Sequence, residues 1–190
     1  MMSKDSTSKK KSKSVYAPTP KLAAEETHIL AVLVNNEPGV LARIVGFYSG
    51  RGYNIESLTV AETNHKEHLS RITIACKGTP DVIEQIKAQL QRLVPVLKVS
   101  DLTIEGRYIE RELALLKVVC TGDKRADAQR DADAFCARTV DSTPNSFIFE
   151  ATDTASRIDD FIAIMKPHGL VDVSRTGIAA ISKGDRVIGE

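Results

Sequence analysis

Residues 27–63 constrain the fold most, because they contain an apolar strand pattern, a polar turn, an amphipathic helix, a Gly-Arg-Gly break and a second strand pattern in direct succession. The turn reads Asn-Asn-Glu-Pro-Gly and leads straight into the helix. The first N–H groups of a helix have no intrahelical acceptors, so a turn of this kind favours a small carboxylate ligand. The segment carries no set of side chains typical of catalysis. It therefore predicts a sensor for a small molecule.

The first half of the chain predicts the element order βαββαβ. Both of its helices show apolar residues at helical spacing, and the second begins near Thr79, which Pro80 follows. The polar residues 63–67 predict a hairpin loop between two strands. The four strand patterns are residues 28–34, 54–62, 68–76 and 95–102. The apolar stripes of the helices are Val40, Leu41, Ile44, Phe47 and Tyr48 in the first, and Val82, Ile83, Ile86, Leu90 and Leu93 in the second.

The second half repeats this order more faintly and ends in a short apolar segment around Ile178–Ile181. Two α+β modules are therefore expected, each with a four-stranded antiparallel sheet backed by two helices. Each sheet leaves one face or edge uncovered and each module is small, so pairing into a homodimer is expected. The predicted strands are 113–120, 138–143, 146–151 and 170–174, and the predicted helices are 123–137 and 154–166. The predicted division is a tail at 1–24, modules at 27–102 and 113–190, and a linker at 103–112.

The charge is unevenly distributed. Residues 1–24 hold six lysines and one acid, although the whole chain has a formal charge of only +1. This segment is Ser/Lys/Pro-rich without an apolar core, so we expect a disordered tail and no secretory signal; a lysine patch that docks a partner or nucleic acid is the alternative. The remaining chain is mildly acidic, which argues against a nucleic-acid surface on the folded part. Apolar runs are too short to span a membrane.

The cysteines and histidines do not have metal-ligand spacing. Cys76, Cys120 and Cys136 lie in or beside apolar segments, so we expect free thiols that pack as small core residues, which suits the cytoplasm. No metal site is predicted. An enzyme is disfavoured, because Asp131 and Asp133 lie two residues apart on a predicted helix and do not share a face. RNA binding through a βαββαβ sheet is disfavoured, because the first and third strands lack aromatic residues.

Several strings together resemble one family. The run VLVNNEPGVLARIVGFYSGRGYNIESLTVAET, followed by LSRITI, LVPVLKVSDLT, RELALLKV, DSTP and SRTGIAAISKGD, resembles the small regulatory subunits of acetohydroxyacid synthase, also called acetolactate synthase. The resemblance covers roughly residues 27–186. It implies two ferredoxin-like βαββαβ modules, the first an ACT domain that binds valine and dimerises. It also implies a non-catalytic chain that activates the catalytic large subunit and confers feedback inhibition by valine in branched-chain amino acid biosynthesis.

By the same resemblance, thiamine diphosphate, Mg²⁺ and FAD are expected only in the catalytic partner, and none in this chain. An ACT-type amino-acid sensor that serves a different enzyme is the alternative.

The resemblance also implies that valine binds at the ACT dimer interface, between the first strand-helix turn of one chain and its neighbour. The ligand carboxylate would meet backbone N–H groups at the turn, where a glycine lets the backbone approach closely. Two asparagine side chains would contact the ammonium and the carboxylate, and an isoleucine would wall the aliphatic side chain. Valine, leucine and isoleucine would bind with graded affinity. The implied residues are Asn36, Gly39, Val40, Leu41, Asn54 and Ile55.

Simpler interpretations of three of these residues stay open at this stage. Asn36 is also typical of a turn or a helix cap, because asparagine favours such places in any protein. Gly39 is compatible with a purely structural role, and Asn54 with a position that simply leads into the second strand.

Overall fold

The computed structural model describes residues 24–188. The lysine-rich tail predicted for residues 1–24 therefore lies, except for Ala24, outside the described residues. Within the described part of the chain, no helix is both long and apolar enough to cross a membrane.

The first module is a four-stranded antiparallel sheet with two helices on one face, as predicted. Its strand order is β2-β3-β1-β4, so that β2 and β4 form the two edges. Buried residues from β1, β3 and both helices make one core between the sheet and the helices. The elements are β1 (Glu26–Asn35), α1 (Val40–Arg51), β2 (Ile55–Asn64), β3 (Leu69–Gly78), α2 (Pro80–Leu90) and β4 (Val96–Asp101).

The two helices of this module begin where the sequence predicts, and α1 also ends there, whereas α2 ends at Leu90, before the last residue of its predicted stripe, Leu93. Helix α1 follows Gly39, which adopts the left-handed φ of 84°, and it ends at Gly52 with a φ of 70°. Helix α2 follows Thr79 and has Pro80 in its first turn, but the Thr79 side chain makes no capping hydrogen bond. The buried residues of α1 are Val40, Ile44 and Tyr48, and those of α2 are Ile83, Ile86 and Leu90.

The second module repeats the order, with the strand order β6-β7-β5-β8 and a further strand, β9, that pairs with β5. Its helices pack alanine and aromatic residues on the sheet, including Ala128, Ala132 and Phe161. The two βαββαβ modules confirm the predicted fold class. The elements are β5 (Tyr108–Val119), α3 (Asp123–Ala134), β6 (Arg138–Thr143), β7 (Ser146–Asp153), α4 (Ala155–Met165), a 3₁₀ turn (Lys166–His168), β8 (Leu170–Arg175) and β9 (Ala179–Ser182).

Two details of the second half differ from the prediction. Strand β5 begins at Tyr108, inside the predicted linker 103–112, because its first residues pair with β9 rather than with a neighbour in the main sheet. Helix α3 ends at Ala134 instead of residue 137, and Cys136 then adopts the left-handed φ of 55°. Cys136 is consequently exposed, so its prediction as a core residue was wrong, whereas Cys76 and Cys120 are buried.

The start of β5 and β9 form a two-stranded ribbon that covers the face of the first sheet opposite the helices. Ile178 and Ala180 of the ribbon pack on Ile29, Ala31 and Ala75 of that sheet. The sequence predicts that one face or edge of each sheet is uncovered. In the first module this face is covered by the C-terminal segment of the same chain, and no other strand among residues 24–188 pairs with the edge strands β2 and β4.

Candidate functional site

The turn between β1 and α1 presents N–H groups at the start of a helix. Asn36 N–H donates to the His68 carbonyl at 2.6 Å, and Val40 N–H donates to the Glu37 carbonyl at 3.2 Å. Among residues 24–188, no hydrogen bond uses the N–H of Gly39 or Leu41. Two of the three N–H groups that the sequence predicts for a carboxylate are thus open, whereas that of Val40 is already engaged in the turn.

Gly39 is required here by its backbone conformation. Its φ is 84°, which L side chains rarely adopt, while a Cβ built at this position meets no atom within 4 Å. The space in front of the turn is therefore open, and glycine is needed for the backbone conformation rather than to avoid a clash with other protein atoms. Asn36 and Gly39 are exposed and Leu41 is 38% exposed, but the Val40 side chain is 7% exposed and belongs to the core.

The electrostatics of this helix start suit an anion. Helix α1 has no acidic residue in its first turn, so no side chain of the helix itself compensates the positive end of its dipole; the nearest acid in sequence is Glu37, in the preceding turn. A carboxylate placed against the open N–H groups would gain both hydrogen bonds and dipole energy.

The other predicted residues lie at the opposite end of the sheet. Asn54 is exposed and precedes β2, and Ile55 packs against the core as the first residue of that strand. Ile55 is level with Cys76 of β3, which pairs with His28 of β1. The turn follows Asn35 at the far end of β1, so the two groups are more than about 20 Å apart along the strands of one chain.

The predicted site residues therefore lie in two separate groups, which we call half-sites. One half-site consists of the turn with Asn36, Gly39 and Leu41, and the other consists of Asn54 and Ile55. A single chain does not bring them together.

The contact between β2 and the C-terminal segment was not foreseen from the sequence. The Ile178 N–H donates to Ser57 Oγ at 2.8 Å, and Thr59 Oγ1 donates to the Thr176 carbonyl at 3.4 Å. Gly177, with a φ of 81°, allows this approach, since a Cβ there would lie 2.7 Å from Ser57 Oγ. The signals in the sequence are the small polar residues on one face of β2 and the glycine before Ile178, but neither names its partner.

A cavity of about 460 Å³ lies between the two modules beside this contact, and its charged groups are largely satisfied. Glu112 is 4% exposed and binds the Arg175 guanidinium through both carboxylate oxygens, at 2.8 and 2.7 Å. The hydrogen bonds that Arg175 donates to Glu112 and Asp159 raise the pKa of Arg175, against an opposing effect of burial. This ion pair holds β5 and β8 together and offers no free acid or base to a ligand.

Fold and geometry together define a class: a pair of ferredoxin-like modules in which the first has the ACT arrangement and an open helix start. Residues 30–98 match the family model described as the AHAS small subunit-like ACT domain. Residues 111–184 match the model described as the small subunit of acetolactate synthase.

Curated relatives and a solved structure agree with these matches. The chain is 41% identical to the acetolactate synthase isozyme 3 small subunit of Escherichia coli over 161 residues, which cover 84% of this chain and 98% of that one. It is 43% identical to the acetolactate synthase small subunit of Haemophilus influenzae over the same shares. The crystal structure of the small subunit from Thermotoga maritima superimposes with a TM-score of 0.77 at 33% identity, and covers 85% of this chain and 99% of that one. The chain belongs to the family of acetolactate synthase small subunits.

Proposed function

We propose that this chain is the non-catalytic regulatory subunit of an acetolactate synthase, and that it binds a branched-chain amino acid, valine first among them, at an interface between two copies. In this proposal it activates the catalytic large subunit and transmits feedback inhibition to it. The observation that carries the proposal is the split of the site into two half-sites at opposite ends of β2, beside a free sheet edge.

The edge position of β2 suggests how two copies would complete the site. If the β2 strands of two copies pair antiparallel about a two-fold axis, the start of one β2 lies beside the end of the other. The turn with Asn36 is at the same end of the sheet as the end of β2, because Asn35 and Asn64 both pair with Leu69. Asn54 of one copy would then face the Asn36 turn of the partner. Two equivalent sites would result.

The residues divide the binding of an amino acid between them. The open N–H groups of Gly39 and Leu41 donate hydrogen bonds to the carboxylate at the positive end of α1. The side-chain amides of Asn36 and Asn54 supply carbonyl oxygens for the ammonium group and N–H groups for the carboxylate. Ile55 provides an aliphatic wall, which separates valine, leucine and isoleucine by no more than about 1–3 kcal/mol.

Regulation requires only that the effector binds one arrangement of the assembly better than another. A coupling free energy of about 1–3 kcal/mol corresponds to a five-fold to 150-fold difference in affinity between the two arrangements. The proposal assigns thiamine diphosphate, Mg²⁺ and FAD to the catalytic partner, so that this chain binds and couples but performs no chemical step. The free thiols of Cys76, Cys120 and Cys136 suit the reducing cytoplasm in which we place the complex.

The test is acetolactate formation by the catalytic subunit of the same organism, with and without this chain, across a valine titration. We expect the chain to raise the activity and to make it valine-sensitive. Asn36→Ala and Asn54→Ala should keep the fold and the activation but raise the valine concentration for half inhibition. Asn145→Ala, an exposed asparagine in the hairpin of the second module, is the matched control. Unchanged inhibition in both site variants would contradict the assignment of the site. If the chain changes neither the activity nor its valine sensitivity, the catalytic subunit is not its partner.

Mixing the two variants tests the split site directly. In a dimer of one Asn36→Ala chain and one Asn54→Ala chain, one site has lost both asparagines and the other has lost neither. Mixed dimers should therefore regain part of the valine sensitivity that each variant lacks alone. If the mixture stays as insensitive as the separate variants, the site does not form across two copies.

A further inference from the structure

A shallow groove runs along the outer side of the ribbon formed by β9 and the start of β5. We call it the ribbon groove; its volume is about 390 Å³, and it is lined by Thr63, Arg71, Ile109, Arg111, Ile181 and the two alanines between them on β9. It lies outside both half-sites of the proposed effector site.

The floor of the ribbon groove is an exposed pair of isoleucines. Ile109 and Ile181 are directly opposite each other in the antiparallel pairing, and they are 43% and 58% exposed. Their neighbours Ile178 and Ala180 point to the other face of the ribbon and are buried on the first sheet. The ribbon is therefore apolar on both faces, but only its inner face is covered by described residues.

Two arginines at the groove have no acidic partner among the described residues. Arg71 Nη2 donates to the Ala180 carbonyl at 2.9 Å, and its Nε atom is buried without a hydrogen-bond partner. Arg111 Nη1 donates to the Glu110 carbonyl at 2.7 Å. By contrast, Arg138 and Arg175 each bind a carboxylate. Burial lowers the pKa of Arg71, as expected for a cation that is desolvated without a counter-charge.

The two isoleucines and the two arginines together indicate what kind of partner surface would bind in the groove. Arginine forms its strongest contacts with carboxylates, through two parallel hydrogen bonds, and it is enriched where proteins meet. A surface that places a carboxylate next to an aliphatic or aromatic side chain would satisfy the arginines and cover the isoleucines together.

The groove also adjoins the proposed effector site. Thr63 lies near the end of β2, and this end of the sheet carries the Asn36 turn. A partner that binds in the groove would thus contact β2, the strand that is proposed to pair with its counterpart in a second copy next to the effector.

We propose that the ribbon groove is the docking surface for a segment of the catalytic subunit in which an acidic residue adjoins an apolar one; this rests on the proposed function. The arginines bind the acidic side chain, and the isoleucine pair packs against its apolar neighbour.

The experiment measures the affinity of the full chain for the intact catalytic subunit by isothermal titration calorimetry. The test variants are Arg111→Gln, which removes an exposed charge, and Ile181→Asp, which makes the groove floor polar. Lys117→Gln is the matched control, because it removes an exposed charge from the same strand outside the groove. Circular dichroism and sedimentation of each variant confirm that the fold and the self-association are retained.

We expect Arg111→Gln and Ile181→Asp each to weaken the association about tenfold, as for the loss of an interface anchor. Arg111→Gln should also reduce its dependence on ionic strength, and Lys117→Gln should bind as the unaltered chain does. If the unaltered chain binds and both groove variants bind equally well, docking in the groove is refuted while the proposed function stands. If the variants change only the self-association, the groove is a contact between copies and the proposal fails. If the unaltered chain does not bind the catalytic subunit, both proposals fall.

Discussion

In the first module, helices cover one face of the sheet and the β5–β9 ribbon covers the other, whereas the second module keeps exposed residues along its central strand. Leu115, Lys117 and Val119 of β5 alternate with buried residues and remain accessible. In the described part of the chain, the first sheet is thus covered on both faces, and no further strand pairs with its β2 and β4 edges. Its contacts with another copy are expected at the β2 edge, while the second module offers a broad face.

The two modules also differ in the charge at the start of their first helices, α1 and α3. Both α1 and α3 follow a glycine with positive φ, Gly39 at 84° and Gly122 at 60°. Helix α3 begins with Asp123, whereas α1 has no acid in its first turn. An acid at this position already occupies the positive end of the helix dipole and repels a second carboxylate. The repeated fold therefore has a helix start without its own acid in one module, where we propose the ligand site, and a self-compensated helix start in the other.

The largest expected effect concerns the residue that directly precedes the last strand of the main sheet in each module. The first module uses Pro95 before β4, whereas the second uses Gly169 before β8 with a φ of 103°. A Cβ at residue 169 would collide with the Val119 carbonyl oxygen, which is backbone and cannot move aside. We expect Gly169→Ala to lower the free energy of unfolding by about 3 kcal/mol or more.

Urea denaturation followed by circular dichroism measures this, because the chain has no tryptophan. The control is Gly184→Ala, which shares a positive φ of 79° but has nothing within 4 Å of the added Cβ. It should cost only about 1–2 kcal/mol. Equal losses in the two variants would show that backbone conformation alone, and not the close approach to β5, explains Gly169.

A smaller effect is expected on the free energy of unfolding at alkaline pH, because the core of the first module contains a buried thiol. Cys76 is fully buried, with its Sγ atom 3.9 Å from the Tyr48 hydroxyl, and burial raises its pKa from 9.0 to about 11. The unfolded chain then ionises this thiol at a lower pH than the folded chain does. The stabilisation is therefore complete below about pH 8.5 and is lost as the pH rises towards 11, by about 2–3 kcal/mol.

Cys76→Ala should flatten this decline when unfolding is measured at several values between pH 8 and 11. Some slope should remain, since burial also raises the pKa of Tyr48. Cys136→Ala removes an exposed thiol of the second module and serves as the control. A Cys76→Ala curve parallel to that of the unaltered chain would show that this thiol does not set the alkaline limit.

The contrast between the modules also shows what periodicity can predict. Apolar spacing marked most of the buried faces of α1, α2 and α4, because burial on a sheet requires one apolar stripe. Leu41 of α1 is nevertheless exposed, and Leu93 lies beyond the end of α2. The same rule marked Ile178–Ile181 as apolar, but alternation specifies a face and not a partner. The pairing of β9 with Tyr108–Arg111, and its position on the first sheet, depend on contacts between distant segments and could not be predicted locally.

The candidate site shows the same limit. The turn and its glycine follow from local chemistry, and the structure gives Gly39 the left-handed backbone that this requires. The engagement of the Val40 N–H by the Glu37 carbonyl depends on the detailed turn geometry, which composition does not reveal. The distance between Asn36 and Asn54 depends on the strand order, so only the folded sheet shows that one chain holds two half-sites.

The smallest effect tests whether the helix start is where an effector carboxylate binds. Ala42→Asp would give α1 the acidic first turn that α3 has, at an exposed position three residues after Gly39. The new acid should stabilise the helix by about 0.3–1 kcal/mol and weaken valine binding several-fold, because it competes for the same positive dipole. Calorimetric titration with valine measures the affinity, and Asp123→Ala removes the corresponding acid of α3 as a control without effect on binding. If Ala42→Asp binds valine as tightly as the unaltered chain, the carboxylate lies elsewhere, and the difference between the helix starts does not explain which module holds the ligand.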